Sequence, residues 1–109
     1  MTVKEFTDKA GFTAVCIPSP DREIDGVYIG DLLSWVMGRA DCGNVWITIM
    51  SNVNIVAVAA LADVSCILLA EGVTPEADVI SVAESKGINV IKTDLSAYGA
   101  AKLISEILR

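Results

Sequence analysis

Three short polar segments carry the residue types that could meet a ligand: Ser51-Asn52-Asn54, Glu71-Gly72-Thr74 and Thr93-Asp94-Ser96. Each follows an apolar run and precedes a helix-forming one, so each lies where a strand hands the chain to a helix. In open α/β sheets, ligands collect at such loops, outside the carboxyl ends of the strands, where helix N-termini offer unpaired amides. Hydroxyls and carboxamides in that setting suit a small anion such as a nucleotide. Two acids in the set, Glu71 and Asp94, would repel a phosphate, and no lysine or arginine falls within these segments. The same residues also read as helix caps, with Asn52, Thr74 and Asp94 each contributing about 1 kcal/mol of stability. Asn54, the polar exception in an apolar helix, either reads a ligand edge, pins a subunit contact or bonds to nearby backbone.

Catalytic chemistry is hard to assemble here. The chain has no histidine, which removes the commonest general base and the commonest metal ligand. No GxxxxGK[ST] run exists to cradle a nucleotide's phosphates. Carboxylates are scattered, with no pair at a shared turn to hold magnesium. The residues therefore predict a protein that is not an enzyme, with no cofactor and no metal. Cys16, Cys42 and Cys66 are odd in number and lack CxxC spacing. They read as free thiols in a reducing cytoplasm, two of them on or beside buried strands. Net charge is −6, the sequence pI is about 4.4, and the eight basic residues are spread singly. Nucleic acid is excluded as a partner by that pattern. The apolar fraction of 53% and mean hydropathy of +0.57 are high. Even so, the longest apolar stretch, residues 53–62, falls short of the ~18 residues that a membrane span needs. Nor does the opening Met1-Thr2-Val3-Lys4-Glu5 have the form of a signal peptide. Neither a membrane nor a leader is expected.

The elements that must position these loops alternate clearly. A capped helix is expected from Thr2 to about Ala10, with Gly11 as its stop. A strand at residues 12–17 and a turn-rich loop around Pro18-Ser19-Pro20-Asp21-Arg22-Glu23 follow, the charges there reading as solvated. A short strand at residues 27–29 is too close to the first to be its parallel neighbour. Asp31 reads as the N-cap of a helix whose stripe is Leu32, Trp35, Val36 and Arg39. Trp35, with Trp46, reads as core ahead of the alternative, an aromatic patch for a partner. Then come strand 45–50, helix 53–63, strand 66–70, helix 75–86, strand 88–92 and helix 95–108. Thr74-Pro75-Glu76 is the clearest helix start, with a capping hydroxyl, Pro at the first helical position and an acid in the first turn. Gly87 closes that helix, and Asp94 or Ser96 caps the last one. Gly38 and Gly99 inside helical patterns suggest close approach of another element, or for Gly38 a helix end. The whole predicts residues 1–109 as a single compact three-layer α/β domain with a mainly parallel sheet and βαβ units.

Helix 53–62 has no charge at any position, and a helix apolar almost all round must be covered on more than one side. That predicts a homodimer contact through Val53, Val56, Ala57 and Ala60. On this reading Val56→Asp or Ala60→Asp yields monomers or insoluble protein.

The run from about residue 25 to 108 resembles the DRTGG domain family. The resemblance rests on Gly30-Asp31-Leu32-Leu33-Ser34, Trp46-Ile47-Thr48-Ile49, Asn54-Ile55-Val56-Ala57-Val58-Ala59, Glu71-Gly72-Val73-Thr74-Pro75 and Gly87-Ile88-Asn89-Val90. Domains of this kind accompany some CBS-domain pyrophosphatases and phosphotransacetylases. They also occur alone, often labelled HPr-kinase-like, a label that the missing phosphate-binding loop contradicts for this chain. Met50-Ser51-Asn52-Val53-Asn54 stands where many relatives carry a Gly-Asp-Arg-type turn, so the arginine of that turn has no counterpart here. The resemblance implies a non-catalytic regulatory or assembly domain that dimerises, beside a larger enzyme or regulatory protein. The alternative is a nucleotide or other small-metabolite sensor using the three loops. An orphan phosphotransferase borrowing a site from a partner chain is the remotest reading.

Overall fold

The computed structural model describes residues 1–108. Ten elements follow one another: α1 (Val3–Ala10), β1 (Thr13–Cys16), β2 (Gly26–Ile29), α2 (Leu33–Arg39), β3 (Asn44–Thr48), α3 (Asn54–Ala62), β4 (Cys66–Leu69), α4 (Ala77–Lys86), β5 (Val90–Lys92) and α5 (Ala97–Ile107). The five strands form one sheet in the order β1-β5-β4-β3-β2. Strands β2 to β5 are parallel neighbours, and β1 adds to β5 antiparallel. The first two strands therefore stand at opposite edges and are not parallel neighbours, as expected from their short connection.

From β2 to β5 the chain winds across the sheet in one direction. Crossovers of a single hand then stack their helices on one face. Accordingly Val36 of α2, Val56 and Ala59 of α3 and Val79 and Ala83 of α4 pack with Trp46, Ile67, Leu69 and Val90 of the sheet. Phe6 of α1 and Ala100 and Ile104 of α5 pack on the other face with Val45, Ile47, Cys66, Leu68 and Ile91. Strands β3 and β4 are buried throughout, which explains their continuous apolar runs. Each such side chain contributes about 1.5–3 kcal/mol by leaving water. The result is the expected three-layer α/β domain.

Several local signals act as expected. Thr2 and Glu5 close a reciprocal capping box at α1, and Gly11 and Gly87 end their helices in the left-handed region. Ser96, not Asp94, caps α5 by accepting from the Gly99 amide at 3.0 Å. Cys16 and Cys66 are buried free thiols.

Other expectations are overturned. Asp31 does not cap α2, whose N-cap is Leu32 without a side-chain bond. Its carboxylate instead accepts from Thr48 Oγ1 at 2.8 Å and from the Ile49 amide at 3.1 Å. Helix α2 is short, and of its apolar stripe only Val36 is fully buried. Trp35 is 52% exposed, with the Arg39 guanidinium 3.7 Å over its ring. Helix α4 starts at Ala77 rather than at residue 75, and Thr74 does not cap it. The Glu76 amide is held by the Ser51 carbonyl at 3.0 Å, so residues 74–76 cross toward the β3 loop before the helix begins. Gly38 meets nothing within 4 Å, and Gly99 faces only its own capping residues Leu95 and Ser96. The helix end at Arg39 accounts for the first. Arg22 is not simply solvated: it donates to Asp63 Oδ1 at 2.8 Å and to the Asp63 carbonyl at 3.0 Å. Among the described residues no helix is long and apolar enough to cross a membrane.

Candidate functional site

The three polar segments converge at the carboxyl ends of β3, β4 and β5. Glu71 and Gly72 both take left-handed backbone, at φ 61° and 70°, and this double turn aims their amides sideways. Glu71 N–H donates to the Leu95 carbonyl at 2.8 Å, and Gly72 N–H donates to that of Thr93 at 2.9 Å. Loops 71–75 and 93–96 are thereby zipped together. The Glu76 amide ties the same segment to Ser51 on the other side. A side chain at position 72 would crowd Asp94, whose Oδ1 lies 3.1 Å from where a Cβ would stand. The left-handed backbone at this position favours glycine, and the nearness of Asp94 adds to that preference.

This zipping changes what the rim can bind. The amides of Glu71 and Gly72 are occupied by a neighbouring loop. At α3, Asn54 N–H donates to Asn52 Oδ1 at 2.9 Å, and Ile55 N–H donates to the Asn52 carbonyl at 3.3 Å. Asn52 is thus a local turn-former, and Ser51 contributes its carbonyl to the Glu76 bond. Ser96 is engaged as the α5 cap. Asn54, Glu71, Thr74 and Asp94 are exposed and available. Of the residues expected at a subunit contact, Ala57 and Ala60 are exposed and Val53 is half-buried. Val56 is fully buried in the domain's own core, so aspartate there attacks the fold rather than an interface.

The topology explains where space remains. Strand β4 leaves to α4 on one face, while its neighbour β5 leaves to α5 on the other. Adjacent strands whose connections part in this way open the crevice in which α/β sheets hold ligands. Here loops 71–75 and 93–96 close that crevice over β4 and β5. A depression of about 380 Å³ remains beside it, lined by Gly11, Thr13, Lys92, Thr93, Asp94 and Leu95. Lys92 Nζ reaches Thr74 Oγ1 at 3.5 Å, bringing a cation to the rim that the loop segments themselves lack. Reading by segments missed Lys92 because it closes a strand. Its signal was a base at the last position of a parallel strand, directly before a candidate loop. Asp31 was missed likewise, because a carboxylate before a helix reads as a cap.

Among the described residues of this rim, the hydroxyl nearest an amine is that of Thr74, at 3.5 Å from Lys92 Nζ. Among the described residues no group of three His, Cys, Asp or Glu side chains is placed to hold a metal. The exposed thiol, Cys42, lies at the opposite end of the sheet and donates to Asp63 Oδ2 at 3.1 Å. That hydrogen bond to a carboxylate pushes its pKa up, the reverse of what a reactive thiol needs. Burial pushes the Cys66 thiol up to about 12.

No curated protein matches the chain. Among solved structures, the fold matches the CBS and DRTGG domains of the regulatory region of a Clostridium perfringens pyrophosphatase, a structure complexed with the activator diadenosine tetraphosphate. The TM-score is 0.71 at 21% identity, over 94% of this chain and 45% of that one. The likeness is one of fold, and the chain spans less than half of the neighbour's length. The DRTGG domain family itself matches over residues 20–107, which takes in β2 to β5 and every loop of the rim, and the chain belongs to that family.

Proposed function

We propose that this protein is a non-catalytic regulatory module of the cytoplasm. It pairs with a second copy through its α2–α3 surface and responds to a small anionic ligand, such as a nucleotide, at the carboxyl rim of the sheet. The observation that carries the reading is the chemistry of the α2–α3 exterior. Arg39 is the only charged residue in the two helices, in a chain where one residue in five is charged. Leu32, Trp35, Met37 and Leu61 all stand exposed there, Leu61 by 74%, beside the small side chains Ala57 and Ala60. A charge-poor surface that mixes an aromatic, a methionine and an arginine has the composition of an interface core. Helices α1 and α5, by contrast, place Lys4, Glu5, Asp8, Lys9, Lys102 and Glu106 outward.

Ligand sensing is supported by family membership and by a neighbour of the same fold that belongs to an activator-bound regulatory region. The exposed polar side chains at the rim add to it, and three free thiols suit a reducing compartment. A larger enzyme or regulatory protein would receive the signal.

Sedimentation velocity tests the pairing. The wild type is expected as a dimer, and Leu61→Asp and Ala60→Asp as folded monomers. Two folded variants that remain dimeric would remove this surface from consideration. Thermal melting with a nucleotide panel tests the sensing, with about 2.7 kcal/mol of stabilisation at a hundredfold excess over Kd.

A further inference from the structure

We infer that Lys92, Thr74 and Thr13 form an anion subsite that takes a phosphoryl group of a small phosphorylated ligand. This deepens the sensing half of the reading above and depends on it. Thr13 is the cross-strand partner of Lys92 in the β1–β5 ladder, and directly paired residues project from the same face of a sheet, about 5 Å apart. That face is the one that carries Val90, Cys16 and helix α4. Thr74 enters it from the β4 loop, with its hydroxyl 3.5 Å from the Lys92 ammonium. One cation and two hydroxyls thus converge from three separate segments.

Lys92 is half-buried, and its contact with Thr74 is long for a hydrogen bond. The ion pairs among the described residues are Met1–Glu23, Lys4–Asp8 and Arg22–Asp63, so no carboxylate of the described residues lies within 4 Å of the Lys92 ammonium. A lysine fixed at the end of a strand, without an acid, in a protein of net charge −6, invites an external anion. The depression of about 380 Å³ next to it has room for more than a phosphate. One element opposes binding: Asp94 lines the same depression. Its carboxylate lies against Gly72 and sets an upper limit on affinity that a variant can relieve.

The test uses the full ¹⁵N-labelled chain with two probes, inorganic pyrophosphate and ATP, followed by amide shifts and by calorimetry. Both probes are expected to move the amides of residues 12–14, 72–74 and 92–95. Lys92→Gln should weaken both by about tenfold with an unchanged apo melting temperature, and Asp94→Asn should tighten both several-fold. Tighter binding of ATP at these same amides identifies a nucleotide, whereas equal binding identifies the phosphoryl group alone. Binding that Lys92→Gln leaves intact, or shifts confined to other residues, overturns the subsite and leaves ligand sensing standing. If neither probe nor any other nucleotide binds the wild type, both readings fall.

Discussion

At the amino end of the parallel strands the polar side chains are taken up in hydrogen bonds, to backbone or to one another, while at the carboxyl end the loops are joined mostly by backbone and many side chains stand free. Asn89 shows the first arrangement. It is 1% exposed, accepts from the Ser19 amide at 2.9 Å and donates to the carbonyls of Ser19 and Ser65 at 2.8 and 2.9 Å. Ser19 in turn donates to the Gly87 carbonyl at 2.8 Å. Arg22, Asp63 and Cys42 form a second closed set nearby. At the rim, Asn54 and Asp94 make no side-chain hydrogen bond among the described residues, and Lys92 makes one long one. Groups already satisfied hold the fold, and groups left open are the ones a ligand can recruit. On the proposed reading, the difference separates architecture from ligand binding within one small sheet.

Substitutions can break that comparison. The largest effect is expected at Asn89. Its replacement by alanine removes three hydrogen bonds and leaves the buried Ser65 carbonyl without this donor, a loss of about 3 kcal/mol, read from the urea midpoint. At the rim, Asp31 is the residue that should behave like the opposite end, because its carboxylate holds Thr48 and Ile49. Asp31→Ala should cost about 1.5 kcal/mol. Asn54→Ala and Lys92→Gln should stay within about 0.5 kcal/mol. A costly Lys92→Gln would mean that the lysine serves the fold, and the contrast between the two ends would collapse.

How much of this was legible in the sequence follows the range of the interactions. Signals that act within a few residues could be read directly: the Thr2 capping box, the left-handed glycines at 11 and 87, and the unbroken apolar strands β3 and β4. Where a local signal competed with a distant partner, the distant partner won. Asp31 looks like a helix cap, but an amide and a hydroxyl at the end of β3 claim its carboxylate. Thr74-Pro75-Glu76 looks like a helix start, but the Ser51 carbonyl delays α4 until Ala77. Trp35 fits an apolar stripe, yet on a helix of two turns it stays half-exposed under the Arg39 guanidinium. The rim loops were placed correctly as a row. Their zipping by the Glu71 and Gly72 amides, and the arrival of Lys92 and Thr13 from adjacent strands, depend on pairings that no single segment encodes.

Chemistry at the closed end can be probed through its thiols. At neutral pH, iodoacetamide should modify Cys42 alone, since Cys16 and Cys66 are buried and burial raises both their pKa values. Modification should nonetheless be slower than for an unhindered thiol, because the Asp63 carboxylate stabilises the protonated form. Asp63→Asn should accelerate it, measured by intact-mass time courses. An unchanged rate would mean that the thiol and the carboxylate are not bonded in solution.

The same variant yields a small but diagnostic effect, on stability against pH. The Cys42 thiol and then the Arg22 guanidinium hold the Asp63 carboxyl below its ordinary pKa. A carboxyl depressed on folding contributes stability that is fully present above its unfolded value, about 3.9. The contribution is lost as pH falls through the lower folded value. Asp63 sits at φ 58°, a conformation that asparagine also accepts, so Asp63→Asn removes the charge and leaves the backbone in place. The wild type should therefore exceed the variant by a constant margin from pH 7 down to about 4. Below that the two curves should converge. Because the pair is exposed, the margin should be at most about 1 kcal/mol, and added salt should shrink it. A margin that widened toward low pH would place the charge in a repulsive setting, and the amino end would no longer count as a closed set of satisfied partners.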